Sequence, residues 1–423
     1  MNRVSAPIIY LVALVPDRTG PVDWFVPNGS ALGVSQVLGV PVRSGGMDLT
    51  EEQRAIRDVV HEFAVEEIRP TARECDTEQS FPEEVWDGLA DLDLTGLTVP
   101  EEYGGFDADR VTYAVVNEEV AYGQLSVATA LSVHCLATSC IAEFGDEDQT
   151  ERWLPEMVGG RPVGAFALSE PHAGSNPAEM STQARPDGDE YVIDGTKQWI
   201  TNGKRSGVVI LFAKTDRDDP DTITQFVVPK DADGLTVGKK EDKLGLRASD
   251  TTSLEFDGVR IPRENRLTEV GKGLSAAFSI LTGGRVGIAA QSVGLAQSAL
   301  DEAVEYSHER EQFDRPLSDI QTIRHEVAEM STAVRASRLL TRDAARRLEH
   351  GDPQDAAEAA SMAKYFASEA AMDVTNEAVQ IHGGYGYVTE NDVERLYRDA
   401  KITTIYEGTT EIQKEIIARH VLD

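Results

Sequence analysis

The chain has 423 residues, of which 41% are hydrophobic and 27% charged, which is enough for two or three packed units with a large core. Its formal net charge is −33, from 73 acidic and 40 basic residues, and this balance argues against nucleic acid or an anionic membrane as a partner. The acidic residues are spread along the chain, and Lys is scarce relative to Arg. We interpret the acidity as an adaptation to high salt, which hydrates an acidic surface and screens its repulsion. An acidic partner or metal function is the alternative.

The three cysteines are Cys75, Cys135 and Cys140. Their number is odd and no Cys-x-x-Cys occurs, so the sequence predicts neither a disulfide framework nor a zinc site. A reducing cytoplasm fits this usage. No apolar run approaches the length of a membrane span.

Residues 1–46 differ in composition from the remainder of the chain. They hold one short apolar run, Ile8–Val15, which with Arg3 only weakly resembles a signal peptide. We hypothesise that Met47 is the true start and that residues 1–46 are a disordered tail or an over-long translation.

Residues 47–162 are predicted to form an N-terminal α-helical domain. Thr50 and Gln53 make a capping box at the start of a helix that Pro70 is expected to stop. Further helices are predicted at 112–122 and 127–144. Helix-breaking residues at 159–162 mark the boundary.

Residues 163–270 are predicted to form a middle, barrel-like β domain. Short apolar or alternating runs predict strands at 208–212, 223–228 and 254–256. A hairpin is predicted across Asp194-Gly195, because Asp-Gly between two strand-like runs favours a tight turn.

Residues 271–423 are predicted to form a C-terminal four-helix bundle, with long helices at about 318–349 and 354–382. Near its end, Glu407 lies in an apolar turn before a predicted helix, with Thr410 as N-cap and Gln413 completing a capping box. A lone acid at such a place is ordinarily a surface residue favoured by the helix dipole. A catalytic base is the alternative interpretation.

Four segments combine residue types that suit a planar ligand or a phosphate, although each also has an ordinary structural explanation. Phe166–Asn176 runs from a strand into turn formers, and the tryptophan of Trp199–Gly203 suits the core or the wall of a flat ligand. Arg310–Phe313 suits a helix end or a phosphate with an adenine. The glycines of Gln380–Tyr387 suit a helix stop or a pyrophosphate, and they do not form the Gly-x-Gly-x-x-Gly pattern of a Rossmann site.

The order of these segments is more specific than any one of them. From Met47 to its end, the chain resembles the acyl-CoA dehydrogenase family. The resemblance is carried by seven segments, which are Phe166–Asn176, Trp199–Gly203, Lys243–Asp250, Gly283–Arg285, Arg310–Phe313, Gln380–Gly386 and Ile405–Thr409. It implies an α+β multi-domain fold of helical domain, β domain and helical bundle, bound FAD, and a homotetramer built as a dimer of dimers.

The resemblance also implies roles for individual residues. The flavin would be contacted by Phe166, Leu168, Ser169, Ser175, Trp199, Ile200 and Thr201. The rest of FAD would be held by Arg310, Phe313, Gln321, Gln380, Gly383 and Gly384, partly across a subunit boundary, and by Thr409 and Glu411. The substrate would meet Ser175, Thr282, Arg285 and Gly408. Glu407 would be the catalytic base, since Gly284 stands at the alternative base position used by some members.

The reaction implied is removal of the α-proton of an acyl-CoA by Glu407 and of a β-hydride by the flavin, which gives a trans-2-enoyl-CoA. An electron-transfer flavoprotein would reoxidise the flavin. We expect a short- to medium-chain straight acyl-CoA, as in fatty-acid β-oxidation in the cytoplasm. A branched-chain or aryl-substituted acyl-CoA dehydrogenase, an acyl-CoA oxidase and a catalytically silent FAD- or CoA-binding protein are the alternatives. Thr282 and Asn176 stand where many relatives have Asp, and the former departure puts a contact on the CoA side in doubt.

Overall fold

The structure is a computed structural model that describes residues 49–422. The hypothesis about residues 1–46 therefore lies outside the described residues. Within the described range, helices come first, a sheet follows, and helices return, so the predicted three-part fold is confirmed.

Six α-helices precede the sheet: α1 Glu51–Phe63, α2 Arg69–Glu78, α3 Glu83–Asp91, α4 Arg110–Gly123, α5 Leu125–Phe144 and α6 Glu147–Val158. The predicted capping box of Thr50 and Gln53 is present at the start of α1. The predicted stop at Pro70 is wrong, because a π-helical turn, Ala64–Ile68, joins α1 to α2. Pro70 lies in the first turn of α2, where a helix tolerates proline.

The middle part is a seven-stranded sheet formed by β1 Val163–Ala167, β2 Gln183–Asp187, β3 Glu190–Ile200, β4 Ser206–Lys214, β5 Ile223–Pro229, β6 Leu235–Val237 and β7 Thr252–Pro262. The order is β1-β4-β2-β3-β7-β6, with β5 paired to β4. Strand β4 is parallel to β1 and antiparallel to β5. Its run of apolar residues is buried, as expected for a strand covered on both faces.

The predicted hairpin at Asp194-Gly195 is wrong, because both residues lie inside the continuous strand β3. The tight turn instead falls at Gly188, whose φ is 62°, between β2 and β3. Gly195 lies at an irregular point of the β3–β7 pairing and lets the backbone of β3 approach Thr182 closely. A Cβ on Gly195 would lie 2.7 Å from the Cα of Thr182. The sequence contains two Asp-Gly pairs in this region, and turn propensity alone does not choose between them.

The C-terminal part consists of α7 Gly273–Glu309, α8 Gln321–His350, α9 Pro353–His382, α10 Asp392–Thr403 and α11 Thr410–Leu422. Two short strands, β8 Glu311–Gln312 and β9 Arg315–Pro316, form a ribbon between α7 and α8. Helices α7, α8 and α9 pack against one another, and α10 and α11 pack on α9. Helix α4 packs on α7, and this contact brings the first helical part against the last.

The predicted capping box of the last helix is wrong, because the N-cap is Thr409 and the third helical residue is Ile412. Helix α11 begins at Thr410, and the Ile412 amide donates to the hydroxyl oxygen of Thr409, which therefore caps the helix. The Thr410 hydroxyl donates to Glu369 instead, and the Gln413 amide group turns back to the carbonyls of Glu407 and Gly408.

Two core helices are long and apolar enough to cross a membrane by length and composition alone. These are α5, whose most apolar window is 94% buried inside the fold, and α7, whose window is 61% buried. Their apolar residues contribute to the main hydrophobic core. All three cysteines are buried and free of disulfides, and burial raises the pKa of each thiol.

Candidate active site

The turn that carries Glu407 joins α10 to α11 in a left-handed backbone conformation. The φ angle is 50° at Glu407 and 91° at Gly408. A left-handed conformation is unfavourable by about 1–2 kcal/mol for a residue with a side chain, so neighbouring contacts must hold Glu407 in place. The Gln413 side chain supplies two of them, because its Nε2 donates to the carbonyl oxygens of Glu407 at 3.2 Å and Gly408 at 3.0 Å.

The Glu407 carboxylate points inward against α7. Its Oε2 atom is buried and has no hydrogen-bond partner, although the residue as a whole is half-buried. Gly284 lies directly beneath it, and a Cβ built on this glycine would overlap Oε2 and lie 3.3 Å from a methyl group of Leu136. Burial raises the pKa of Glu407 to about 7, against the opposing charges of Lys364 and Arg285. A carboxylate with such a pKa is a competent general base near neutral pH.

Two buried cations flank this carboxylate. Arg285, on α7, is 8% exposed, and its Nε has no hydrogen-bond partner. Lys364, on α9, is fully buried, and its Nζ donates to the Gly408 carbonyl at 2.7 Å. Burial lowers the pKa of both side chains. Unpartnered buried polar atoms on the Glu407 carboxylate and on Arg285 indicate that a polar ligand completes the site.

A cavity of about 310 Å³ opens beside Gly284. Helices α4, α5 and α7 and the start of α9 supply its walls. Its inner end is lined by Gly284, Leu136 and Tyr113. Thr282 and Arg110 lie further along, and Arg110 faces Glu143 across 3.9 Å. The cavity is therefore apolar beside Gly284 and Leu136 and polar beside Arg110 and Glu143.

A hydrogen-bonded network fills the interior next to the base. The Tyr406 hydroxyl donates to the Gln291 side-chain oxygen at 3.3 Å, and the Gln291 Nε2 donates to Asn117 at 2.9 Å. The Thr129 hydroxyl also donates to Gln291 at 3.3 Å. Because Asn117 and Gln291 are fully buried, the network limits the depth of any ligand cavity on that side.

The residues expected at the flavin surround the ends of β1 and β3. The Gln198 amide donates to the Ser169 carbonyl at 2.9 Å, which holds the two segments together. Phe166 and Leu168 pack in the same apolar cluster as Leu136 and Ile280, which line the cavity near Glu407.

The ring of Trp199 is accessible for a flat ligand. Trp199 is 60% exposed with φ at 63°, which leaves it outside the core at the end of β3. Thr201 is half-buried and Ser175 is exposed in the loop after β1. Ile200 is 2% exposed and packs in the sheet core, so only its backbone is available to a cofactor.

A buried ion pair fixes the loop that carries Ser169. The Lys197 Nζ lies 2.8 Å from Glu170, and both side chains are fully buried. It also donates to the Leu168 carbonyl at 3.0 Å. The Glu170 carboxylate further accepts hydrogen bonds from the backbone amides of Ser181 and Thr182.

A second cavity, of about 530 Å³, lies where α7 and α9 end. It brings together Arg310, Gly383 and Gly384, and adds Tyr385, whose ring lies 5.6 Å from the Arg310 guanidinium carbon. A Cβ on either glycine would meet no atom within 4 Å. Open space above paired glycines, beside an arginine and an aromatic ring, fits the pyrophosphate and adenine of FAD.

The other residues expected at the nucleotide do not line this cavity. Phe313 is 85% exposed at the tip of the β8–β9 ribbon, Gln321 and Gln380 are exposed, and Thr409 and Glu411 lie at the start of α11. Of the residues expected at the nucleotide, this cavity therefore brings together only Arg310, Gly383 and Gly384.

Sequence reasoning missed several residues of the site, namely Lys364, Gln413, Gln291, Lys197 and Glu170. Lys364 did leave a signal, because it occupies the same helical stripe as the core residues Ala360 and Ala367. A charged residue within an apolar stripe indicates a buried, partnered charge. The partners of Lys197 and Gln291 come from distant segments and left no local signal.

Family models for the acyl-CoA dehydrogenase N-terminal, middle and C-terminal domains match residues 50–161, 165–259 and 271–422. The chain is 43% identical to the short-chain specific acyl-CoA dehydrogenase of Rattus norvegicus mitochondria, over 89% of this chain and 91% of the relative. It is also 43% identical to an acyl-CoA dehydrogenase of Bacillus subtilis, over 89% and 99%.

Among solved structures, butyryl-CoA dehydrogenase from Megasphaera elsdenii is similar, with a TM-score of 0.86 and 40% identity. The match covers 89% of this chain and 100% of that one. The chain therefore belongs to the acyl-CoA dehydrogenase family, whose members are oxidoreductases that use FAD.

Proposed function

We propose that this protein converts a short- to medium-chain straight acyl-CoA to the trans-2-enoyl-CoA and passes the electrons to an electron-transfer flavoprotein. It would act in fatty-acid β-oxidation as a soluble, cytoplasmic homotetramer. The observation that carries the proposal is the buried Glu407 carboxylate, whose Oε2 has no partner and lies against the wall of a cavity. The similarity to short-chain and butyryl-CoA dehydrogenases supports the chain length.

In this proposal Glu407 removes the α-proton, because it is a base of suitable pKa beside an acyl-sized cavity. The α-carbon would lie above Gly284, which leaves room for the carboxylate. Arg285 and Gly408 would border the substrate, with Thr282 and Ser175 towards the CoA. FAD, when bound, supplies the acceptor for the β-hydride, and Trp199, Thr201 and Ser169 would hold its ring.

The network of Tyr406, Gln291 and Asn117 supports a short acyl chain, since it occupies the interior that a long chain would need. Shape complementarity of this kind is worth about 1–3 kcal/mol per methylene in an enzyme pocket. A branched-chain acyl-CoA would have to place its branch beside Leu136 and Tyr113. We therefore rank a branched-chain acyl-CoA dehydrogenase second among the candidate functions.

The decisive experiment is an anaerobic screen of acyl-CoAs for loss of flavin absorbance, with Glu407→Gln as the test variant. We expect the wild type to bleach fastest with C4 to C8 straight chains. Glu407→Gln should keep FAD but bleach slower by about 10²- to 10⁴-fold, because general-base catalysis contributes on that order. Glu415→Gln, an exposed residue on α11 paired with Arg419, is the matched control and should behave as wild type.

The alternatives give different results in the same screen. A silent FAD- or CoA-binding protein would bleach with no acyl-CoA, and an oxidase would form peroxide rapidly in air without an electron-transfer partner. Full activity of Glu407→Gln would refute the assignment of the base. Because Glu407 must be ionised to accept a proton, the rate of bleaching should rise with pH through about 7.

A further inference from the structure

Lys364 is an anomaly in the packing of α9. It is fully buried and lies among the core residues Ala360, Ala363 and Ala367. A lysine is almost never fully buried unless a partner compensates its charge, because removing an ammonium group from water is costly. The position therefore needs an explanation beyond packing.

The ammonium group is held by the turn that carries the base. Its Nζ donates to the Gly408 carbonyl at 2.7 Å, and among residues 49–422 no carboxylate lies within 4.0 Å of it. The charge that acts most strongly on Lys364 is that of Glu407, followed by those of Arg285, Glu369 and Glu411. The lysine thus faces the base without neutralising it by direct contact.

The hydrogen bond from Lys364 falls on the most constrained part of the turn. Glu407 and Gly408 both have positive φ, and the Gly408 carbonyl accepts from Lys364 and from Gln413. A charged donor makes a hydrogen bond roughly twice as strong as a neutral one does. Lys364 therefore contributes more than Gln413 to the orientation of this carbonyl and of the residue before it.

We propose that Lys364 is a positioning residue for proton abstraction: it fixes the left-handed turn of Glu407 through the Gly408 carbonyl, and its positive charge keeps the Glu407 carboxylate ionised. This inference rests on the proposed function, in which Glu407 is the base. It assigns a role to a residue that does not itself touch the reacting atoms.

Other groups also face Glu407. Arg285 faces it from α7, and its charge, like that of Lys364, lowers the carboxyl pKa. Tyr113 on α4 and the neighbouring Tyr406 feel the Glu407 charge, and burial raises the pKa of both phenols, so they are neutral near pH 7. Arg285 stays charged throughout the accessible pH range, whereas Lys364 loses its proton within it.

The two titrations predict a bell-shaped profile. Burial raises the pKa of Glu407 to about 7 and lowers that of Lys364 to about 8. Below the first value the base is protonated. Above the second value Lys364 is neutral, its charged hydrogen bond to the Gly408 carbonyl is lost, and the rate should fall because the turn no longer holds Glu407 in place.

The test compares Lys364→Met, which removes the charge with little change in shape, with Lys364→Arg, which keeps the charge at all pH values. Rates of anaerobic flavin bleaching by butyryl-CoA are measured from pH 5.5 to 9.5. In the pH–rate profile of Lys364→Met, we expect the acid limb to move to higher pH by about 1 pH unit or more. The reason is that a nearby opposite charge lowers a carboxyl pKa by about 1–3 units, and this variant removes that charge. Lys364→Arg should keep the acid limb and lose the alkaline limb.

Lys414→Met is the matched control. Lys414 is exposed on α11, with its Nζ 4.7 Å from the Tyr365 ring, so this variant removes the same charge from the same region without touching the turn. Its pH profile should coincide with that of the wild type. FAD content, measured from the absorbance of each purified variant, shows whether the fold is retained.

A second readout does not depend on turnover. Infrared titration of the protonated-carboxyl band, with Glu407→Gln to identify the signal, should show the same upward shift of the Glu407 pKa in Lys364→Met. If that variant does not fold, Lys364→Gln replaces it, because an amide keeps a donor without the charge.

The inference is overturned if the neutral variants slow equally at every pH and leave the infrared titration unchanged, since that pattern belongs to a structural lysine. It is also overturned if Lys364→Arg retains the wild-type alkaline limb. Neither result bears on the proposed function, which is refuted instead by full activity of Glu407→Gln, by the absence of bleaching with any acyl-CoA, or by rapid peroxide formation.

Discussion

At the scale of single residues, the site depends on the absence of a side chain at position 284. The Glu407 carboxylate occupies the space that a Cβ on Gly284 would fill, and Leu136 closes the same space from α5. The family resemblance identified Gly284 only as an unused position for the base. The structure adds that the Glu407 carboxylate packs directly against this glycine.

Gly284→Ala should therefore impair catalysis more than it impairs folding. The added methyl group displaces the carboxylate, which is the flexible end of its side chain, and a shift of about 1 Å can cost on the order of 10²-fold in rate. We expect flavin bleaching to slow by about 10- to 100-fold, measured by stopped-flow absorbance.

Gly283→Ala separates this effect from the change in helix propensity. A Cβ on Gly283 would meet only ordinary contacts, 3.6 Å from Arg110 and 3.8 Å from Leu348. Both variants should show similar thermal unfolding, since each gains about 1 kcal/mol of helix propensity. A wild-type bleaching rate in Gly284→Ala would show that the carboxylate is not held where the structure has it.

Some residues of the candidate site could be predicted from the sequence and others could not. Glu407 could be singled out because its segment stands in family order with other motifs. The role of Gln291 could not be predicted, because its partner Asn117 is brought to it only by the packing of α4 on α7. Lys364 left only the signal of a charge in an apolar stripe, and Gln413 was expected only to cap the last helix. Each is a polar residue in an apolar surrounding, and such residues are the ones to examine first in a related sequence.

At the scale of elements, β3 links the sheet core to the expected flavin site. Its residue Lys197 forms the buried ion pair with Glu170, and two residues later, near the end of the strand, lies the exposed ring of Trp199. The pair thus ties the end of β3 to the loop after β1. Burial alone would raise the pKa of Glu170, but the charge and hydrogen bond of Lys197 lower it to about 2.

Lys197→Met should destabilise the protein strongly, because it leaves the Glu170 carboxylate buried and unpaired. Breaking a buried ion pair in this way costs about 3–5 kcal/mol. The double variant Lys197→Met with Glu170→Gln should recover at least about 1 kcal/mol, since the remaining group is neutral. Urea unfolding monitored by circular dichroism measures both effects.

The opposite ranking, with the double variant less stable than the single one, would indicate that the hydrogen bonds from Ser181 and Thr182 to Glu170 matter more than its charge. We also expect Lys197→Met to retain less FAD after gel filtration, because the loop that holds Ser169 loses its anchor.

The elements themselves were largely predictable. Helices α4, α5, α8 and α9 lie within a few residues of their predicted bounds, because a long apolar stripe fixes a helix with little ambiguity. The wrong structural predictions concern Pro70, Asp194-Gly195 and Thr410. At each position the residue type is compatible with two backbone conformations. The conformation observed is the one that long-range packing stabilises and not the one that local propensity favours.

At the scale of the whole molecule, the dominant property is the net charge of −33. Several charged pairs in the described residues join two exposed side chains, and such pairs contribute little individually. Mutual repulsion among the excess acidic groups opposes the compact state, and salt reduces that repulsion within a Debye length of about 10 Å at 0.1 M.

The melting temperature should therefore rise steeply between low salt and molar KCl. Thermal unfolding followed by intrinsic fluorescence tests this, with sucrose at matched osmolality as the control for solvent exclusion alone. A melting temperature that is flat or falls with KCl would contradict the interpretation of the acidic composition as an adaptation to high salt.

The burial of all three cysteines has a practical consequence. Cys135 and Cys140 lie in the hydrophobic core and Cys75 is buried on α2, and burial raises the pKa of each thiol, which disfavours the thiolate that reacts with an electrophile. We therefore expect the native cysteines not to react with maleimide reagents while the protein is folded. A single cysteine placed on an exposed face would carry a fluorophore or spin label at one defined position, without first removing any native residue.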